Sequence, residues 1–403
     1  MLYLFGIGIN LFLILLLFSK KNKILADKFL LGWLIIICCH LLLFIVATTS
    51  SNNNYPDVFA IAPLFPLLHW PMLYLYTAAM TNTLSANKKI WALHFVPFLG
   101  VLVIISPFFV LSAEEKIAVI DSGGQGYKIE IAINAYAMLL SGIVYLIWLL
   151  FILRKHKKNI ASQFSYDEKI KLNWLRYLIY GLGIIWIIII AQSVNATSYD
   201  NYIFGAAVLL VIIIGYFGVK QGRIYSNTIT QQLNNNVENI IKDKQPFTNN
   251  DLSANDVEIY EEPPIYESEE QADIAVKKKY TKSGLTETAA QNLYEKLKEL
   301  MQQEKYYTEP ELSLAKLAAR LNIHPNYLSQ VINEKEGKNF YDYINTLRVE
   351  EFKRLLLIPE NSKFTMMSLA LDCGFNSKSS FNKNFKKVTG QSPSEYLNTK
   401  AEG

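Results

Sequence analysis

The sequence predicts an all-α protein in two parts, a seven-helix transmembrane bundle over residues 1–220 and a soluble helical domain over 286–400, joined by a linker over 221–285. Three observations predict it. Hydrophobic residues make up 51% of the 403, high for a soluble protein, and the excess lies almost wholly before residue 219. That part is a succession of apolar runs near the ~20 residues a bilayer-spanning helix needs. Beyond it charged residues recur every few positions, and from 286 the apolar residues keep the spacing of helices with one buried face. The cysteines, Cys38, Cys39 and Cys373, form neither a disulfide framework nor a Cys-x-x-Cys metal pair. No metal site and no cofactor is expected.

Apolar runs fall at about 2–19, 27–48, 58–81, 91–111, 131–153, 175–194 and 202–219. The first begins without a basic region, lacks a small-x-small cleavage site and is followed by Lys20, Lys21 and Lys23, so it is expected to stay as a span rather than leave as a signal peptide. Connections after spans one, three, five and seven carry Lys20, Lys21, Lys23, Lys88, Lys89, Arg154, Lys155, Lys157, Lys158, Lys169, Lys171, Lys220 and Arg223. The other set is nearly bare: 49–57 and 195–201 have no Lys or Arg, and 112–130 has Lys116 and Lys128 among four acids. Basic residues are retained on the cytoplasmic face. The expected topology is therefore an inner (cytoplasmic) membrane protein with the N-terminus outside and residue 220 onward in the cytoplasm.

Polar residues inside apolar runs are the candidates for a sensing site, because an unpaired polar group is costly there. These are His40, His69 and His94, with Asn10, Asn134 and Gln192. Hydrogen bonds that glue the bundle explain such residues without a ligand, and that is the favoured reading. Pro63, Pro66 and Pro71 flank His69 in one run and free backbone carbonyls, which makes that the first place to look for a pocket. Gly123, Gly124 and Gly126 read as a turn rather than a phosphate cradle, since no strand precedes them.

In the linker, Ile229, Leu233, Val237 and Ile240 form a narrow apolar stripe that fits either a seam between two copies of the chain or packing on the bundle. From Asp251 to Asp273 nine acids and no base surround Pro263 and Pro264, the composition of a disordered spacer.

The soluble part contains one unit twice. In LSLAKLAARLNIHPNYLSQVIN, Ser313 caps a helix with Leu317, Ala318 and Leu321 inward, a turn passes through Asn322, Ile323 and His324, and Pro325 opens a second helix with Tyr327, Leu328 and Val331 inward. In FTMMSLALDCGFNSKSSFNKNFKK, Thr365, Leu369, Ala370, Cys373 and Phe375 repeat Ser313, Leu317, Ala318, Leu321 and Ile323 at the same offsets. Gly374 falls at the turn, where it adopts positive φ easily, and Phe381 and Phe385 point inward beyond it. Each copy is a helix-turn-helix. Between them Asn339 to Leu356 predicts one amphipathic helix with Phe340, Ile344, Leu347, Phe352 and Leu355 on its apolar side. Its length, about 27 Å at 1.5 Å per residue, is near the roughly 34 Å between successive major-groove faces on one side of DNA.

Residues 290–398 resemble the AraC/XylS family of transcription regulators, most specifically in GFNSKSSFNKNFKKVTGQSPSEYL (Gly374 to Leu397), with its Gly-Phe, Phe, Phe-Lys-Lys, Gly, Ser-Pro and Tyr. The whole chain resembles membrane-bound regulators that carry such a domain at the C-terminus. The resemblance implies sequence-specific binding of double-stranded DNA, with RNA polymerase and a second copy of the chain as candidate partners besides the lipid bilayer; it identifies no sensed ligand. By position in the motifs, Asn326, Ser329 and Gln330 of the first copy and Lys378, Ser379 and Lys383 of the second would face base edges, and Lys338, Lys386 and Lys387 would contact phosphate. Two departures stand out. Lys383 replaces a common Arg and cannot make the fork to guanine, and Phe352 replaces a common Ala in the connecting helix. Over 284–403 there are 16 Lys or Arg against 15 Asp or Glu, but over 361–400 six lysines face two acids, so the second copy carries most of the positive charge.

No catalytic residue is expected. His-Glu-x-x-His, Gly-x-Ser-x-Gly and P-loop patterns are absent from the sequence. The competing reading is a transporter or scaffold whose C-terminal domain binds protein, although no paired halves of broken helices mark a transporter.

Overall fold

The computed structural model describes residues 2–49, 55–166, 172–195, 199, 202–218 and 285–401. The apolar stripe at Ile229 to Ile240 and the acidic stretch 251–273 lie outside the described residues. Described elements are helices, and no strand occurs among them apart from a single bridge between Phe164 and Ser313. The chain divides into two compact units, one from Met1–Lys157 and Leu172–Thr230, the other from Lys158–Lys171 and Gln231–Gly403.

The first unit is apolar. Its helices are α1 (Leu2–Ser19), α2 (Leu25–Thr49), α3 (Pro56–Ile61), α4 (Pro66–Met80), α5 (Lys88–Leu93), α6 (Val96–Val110), α7 (Ala113–Asp121), α8 (Lys128–Gln163), α9 (Asn173–Asn195) and α10 (Tyr202–Gly218). Three stretches are long and apolar enough to cross a membrane: Leu25–Thr48, Pro56–Met80 and Lys128–Gln163. A fourth candidate is the pair α6 and α7, bent by 117°, and Tyr3–Ser19, Asn173–Ile189 and Tyr202–Gly218 are shorter apolar helices. Against the expected count of seven spans, three helices meet the length and composition of a span, or four if the bent pair is one. Large apolar side chains such as Phe18, Val103, Leu140 and Ile187 are exposed on this unit, 70%, 70%, 61% and 67% respectively.

Proline explains where the third run departs from one straight helix. Pro56, Pro63 and Pro66 each sit in the first turn of a new segment, where the missing N–H costs nothing, so the run breaks into α3, a 3₁₀ turn over Ala62–Leu64, and α4. Serine and glutamate explain the bend after α6: Ser112 and Glu115 form a reciprocal capping box that starts α7 inside a stretch expected to be loop.

The second unit is built on α11 (Glu287–Gln303), α12 (Leu314–Arg320), α13 (Pro325–Glu336), α14 (Phe340–Leu356), α15 (Met366–Asp372), α16 (Lys378–Thr389) and α17 (Pro393–Ala401). Two of its cores share α14. Phe340, Tyr343 and Ile344 from its first half pack with Leu297, Leu317, Ala318, Leu328 and Ile332. Val349 and Phe352 from its second half pack with Leu369, Ala370, Cys373, Phe375, Phe381 and Phe385. Asn339, which accepts from the Asp342 N–H, caps this helix. The expected inward residues of α14 are fully buried at Phe340, Ile344 and Phe352 and half-buried at Leu347 and Leu355.

Candidate nucleic-acid interface

The two helix-turn-helix copies are alike down to individual backbone bonds. Ser313 Oγ accepts from the Lys316 N–H at 3.2 Å and Thr365 Oγ1 from the Ser368 N–H at 3.1 Å, so both first helices start on the same side-chain cap. Both end alike too: Ile323 N donates to Ala318 O at 3.0 Å, and Phe375 N to Ala370 O at 3.1 Å. Between these bonds the chain turns through positive φ at the same offset, +54° at Asn322 and +93° at Gly374. Asparagine tolerates that conformation and glycine takes it freely. At Gly374 the need is double, because a Cβ there would lie 2.5 Å from the Thr308 carbonyl oxygen.

Small residues set the crossing of each pair. Ala318 and Ala370 are both fully buried, which lets the second helix approach closely. His324 caps α13 by accepting from the Asn326 N–H, with Pro325 at the first helical position, and Ser377 caps α16 by accepting from the Ser380 N–H. Both second helices end on a left-handed glycine, Gly337 and Gly390.

What α13 and α16 turn outward is polar. On α13, Asn326 is exposed, Ser329 is half-buried, and Gln330 is buried, its amide donating to Glu334 Oε1 at 3.0 Å. Tyr327 is a correction to the sequence reading: it is 38% exposed rather than inward, because Leu328, Val331 and Ile332 already fill the core side of this helix. On α16, Lys378, Ser379, Lys383, Lys386 and Lys387 are all exposed. Asn382 is exposed as well and lies one turn from Lys378 and Lys386, a position the sequence reading passed over although the four-residue spacing marks it.

Two of these lysines already have partners. Lys383 Nζ sits 5.0 Å above the Tyr341 ring and 3.3 Å from its hydroxyl, while Lys387 pairs with Asp342 at 2.6 Å. Lys338 is half-buried at the end of the first copy and lines a cavity of about 150 Å³ with Lys298, Glu336 and Tyr343.

Glu351 ties the connecting helix α14 to Lys305, which lies ahead of the first copy. This carboxylate is 9% exposed and accepts from Arg354 Nη2 at 2.8 Å and Lys305 Nζ at 2.8 Å. The Arg354 bonds, with Lys305 adding to them, hold its carboxyl down to about 2. In the unfolded chain a glutamate titrates near ~4.3. The stabilisation is therefore complete above that pH and is lost as pH falls toward 2. Replacing Glu351 by Gln should cost on the order of 2 kcal/mol at neutral pH. In thermal melts the gap between variant and parent should close between about pH 4 and 2.

The candidate sensing residues fall at two places. Trp33 Nε1 donates to His69 Nδ1 at 3.3 Å, and His69 Nε2 lies 3.0 Å from His40 Nδ1, so two of the three histidines meet. His94 is elsewhere, 2.7 Å from the Tyr145 hydroxyl. Asn10 donates to Leu34 O, Gln192 accepts from the Tyr199 N–H, and Asn134 donates to the Pro63 carbonyl at 3.1 Å. Among the described residues no group of three or more His, Cys, Asp or Glu could hold a metal.

Residues 317–399 match the helix-turn-helix domain family. The C-terminal part of this chain is thus a helix-turn-helix domain, and the pairing of α12 with α13 and of α15 with α16 is its tandem form. Over 88 residues the chain is 42% identical to an uncharacterized HTH-type transcriptional regulator, YobQ, of Bacillus subtilis, covering 22% of this chain and 35% of that one. An uncharacterized HTH-type transcriptional regulator of Staphylococcus aureus is 34% identical over 86 residues, 21% of this chain and 11% of its own. The chain therefore spans about a third and about a tenth of the length of these two relatives. A solved structure of a protein of unknown function from Listeria innocua is 29% identical, covers 26% of this chain and 91% of its own, and has a TM-score of 0.22.

Proposed function

We propose that this protein is a membrane-tethered one-component regulator that binds double-stranded DNA through its C-terminal domain. The observation that carries the reading is the duplicated helix-turn-helix, with the same caps, the same turn at Asn322 and Gly374, and an outward polar face on each second helix. A protein-binding scaffold has no need of two such units in one chain at the same internal offsets. The relatives named as transcriptional regulators support the same reading.

Asn326, Ser329 and Gln330 are the proposed base readers of the first copy, and Lys378, Ser379 and Lys383 those of the second. Gln330 reaches a base edge only by exchanging its bond to Glu334, so Asn326 is the stronger reader; Asn makes two bonds to adenine. Lys338, Lys386 and Lys387 are assigned to phosphate, and Lys386 is the clearest of these. Lys386→Glu should weaken binding to every sequence and lower the salt slope by about one. Asn326→Ala should cost about 1–3 kcal/mol at one base position and leave random DNA unaffected. Titration against a selected site and a scrambled one at two salt concentrations separates them, and equal effects of both substitutions on both DNAs would remove the assignment.

The tether is part of the proposal. It is supported by seven apolar helical stretches, by exposed Phe, Leu, Val and Ile on them, and by the concentration of Lys and Arg in alternate connections. The N-terminus is placed outside and the helix-turn-helix domain in the cytoplasm, with the apolar unit as the sensor. One experiment tests binding and topology together. DNA selected from a random pool should be retained by inside-out membrane vesicles containing the intact protein and not by right-side-out ones. Retention by neither removes the DNA reading; retention by both orientations equally removes the topology.

A further inference from the structure

The end of α8 from Lys158 and the residues that follow it, Phe164 to Tyr166, belong to the compact unit of the C-terminal domain. Among them Ser165 is fully buried. Its backbone N–H and its hydroxyl both donate to Leu312 O, at 3.1 and 2.8 Å. Its carbonyl accepts from Asn345 Nδ2 at 2.9 Å and Arg348 Nη1 at 3.3 Å, and its hydroxyl oxygen accepts from Arg348 Nη2 at 3.1 Å. Phe164, 7% exposed, forms the antiparallel bridge with Ser313, the residue that caps the first helix of the first copy.

Arg348 is the other half of this arrangement. It is 1% exposed, donates through Nε to Tyr307 O and through Nη2 to Glu309 O, both at 2.7 Å, and its guanidinium lies 6.0 Å from the Phe375 ring of the second copy. A buried guanidinium has five N–H groups to satisfy and is costly to leave unpaired. Two of its bonds are to Ser165. The seat recognises mainly backbone, with room for one small hydroxyl side chain, which is how an extended peptide is read when it pairs with a neighbouring edge.

We infer that the C-terminal domain carries a peptide-docking seat built from Leu312, Asn345 and Arg348, that its occupant is Phe164–Tyr166 of the same chain, and that the docked peptide braces the two helix-turn-helix copies against each other. The bracing half of the inference rests on the DNA-binding reading. Ser165 bonds to Leu312, at the start of the first copy, and to Arg348, which touches the second; its bonds do not run to α13 or α16. The peptide therefore leaves the outward faces of both second helices open and acts on their spacing, not their access. It follows directly on α8, which ends at Gln163.

The test uses the intact protein in lipid nanodiscs, with Ser165→Leu, which cannot enter the seat, and Ser165→Ala, which keeps the backbone bonds and loses the hydroxyl. Hydrogen exchange should accelerate at least tenfold at the amides of 313–317 and 345–348 in the Leu variant and less in the Ala variant, with α11 and α16 still protected. Affinity for a selected site that engages both copies should fall at least tenfold in the Leu variant, while a half-site should lose less than threefold. Unchanged exchange in both variants would overturn the docking. Accelerated exchange with equal losses on whole and half-sites, or with no loss, would overturn the bracing and keep the docking. If the parent protein binds no DNA while exchange responds as expected, the DNA-binding reading fails and the bracing falls with it, but the seat stands. Should Ser165→Leu unfold the domain, seen as lost protection in α11, Ser165→Ala decides on the same measures.

Discussion

Phe352→Ala should destabilise the second helix-turn-helix copy by about 3–5 kcal/mol, the usual cost of removing a buried aromatic ring. Phe352 is fully buried, with ring centroids 4.6 Å from Phe381 and 5.7 Å from Phe385, and Phe375 lies 5.4 Å from Phe381. Such aromatic contacts add to the area they bury. The family resemblance leads one to expect alanine at this place. Here the phenylalanine is not a spare bulk but one of four packed rings, in contact with two of the others, so alanine leaves a cavity. Protection of amides in 366–389 should drop on the order of 100-fold or more, while 287–303 loses much less. A cost below about 1 kcal/mol would mean the core closes over the gap.

Gly374→Ala should cost about 3 kcal/mol. Roughly 1–2 kcal/mol comes from holding a Cβ-bearing residue at positive φ. The rest comes from contact: the new Cβ would meet the Thr308 carbonyl oxygen at 2.5 Å, its carbon at 2.8 Å and its Cα at 2.9 Å, and backbone does not swing aside as a flexible side chain does. Asn322 is the internal control. It occupies the same offset in the first copy at φ +54° and already carries a side chain, so Asn322→Gly should change stability by less than about 1 kcal/mol. Comparing the two melting shifts in one background isolates the close approach at Thr308 from the backbone preference.

The helix-turn-helix domain was largely legible because its local signals are short and point the same way. Ser313 and Thr365 announce their helices through the residue type itself, Ala318 and Ala370 announce a close crossing, and Gly374 announces the turn. Tyr327 was misread because tyrosine is equally at home in a core or on a face, and only the neighbours Leu328, Val331 and Ile332 decide which. Hydropathy placed the apolar stretches but not their shape. It does not register that Pro56, Pro63 and Pro66 each restart a helix, nor that Ser112 and Glu115 close a capping box within a stretch of charged residues. The seat around Ser165 had no signal of its own. A serine joins Leu312 and Arg348 across more than a hundred residues, as much through its backbone as through its hydroxyl, and backbone bonds leave no trace in residue type.

The helix that serves both cores also works as a gear shaft. Because α14 is packed along its length, first into one copy and then into the other, the angle between the two reading heads is fixed by how many residues it contains. Adding one residue would turn the second head by about 100° and advance it by about 1.5 Å. It would then face away from the groove its partner is following. Insertions near a whole number of turns, about seven residues for two or about eleven for three, return both heads to the same side. On the proposed reading of DNA, new binding sites with a different gap between their halves would be reached by jumps, not by gradual lengthening, whereas new base preferences would remain open to single substitutions on α13 and α16.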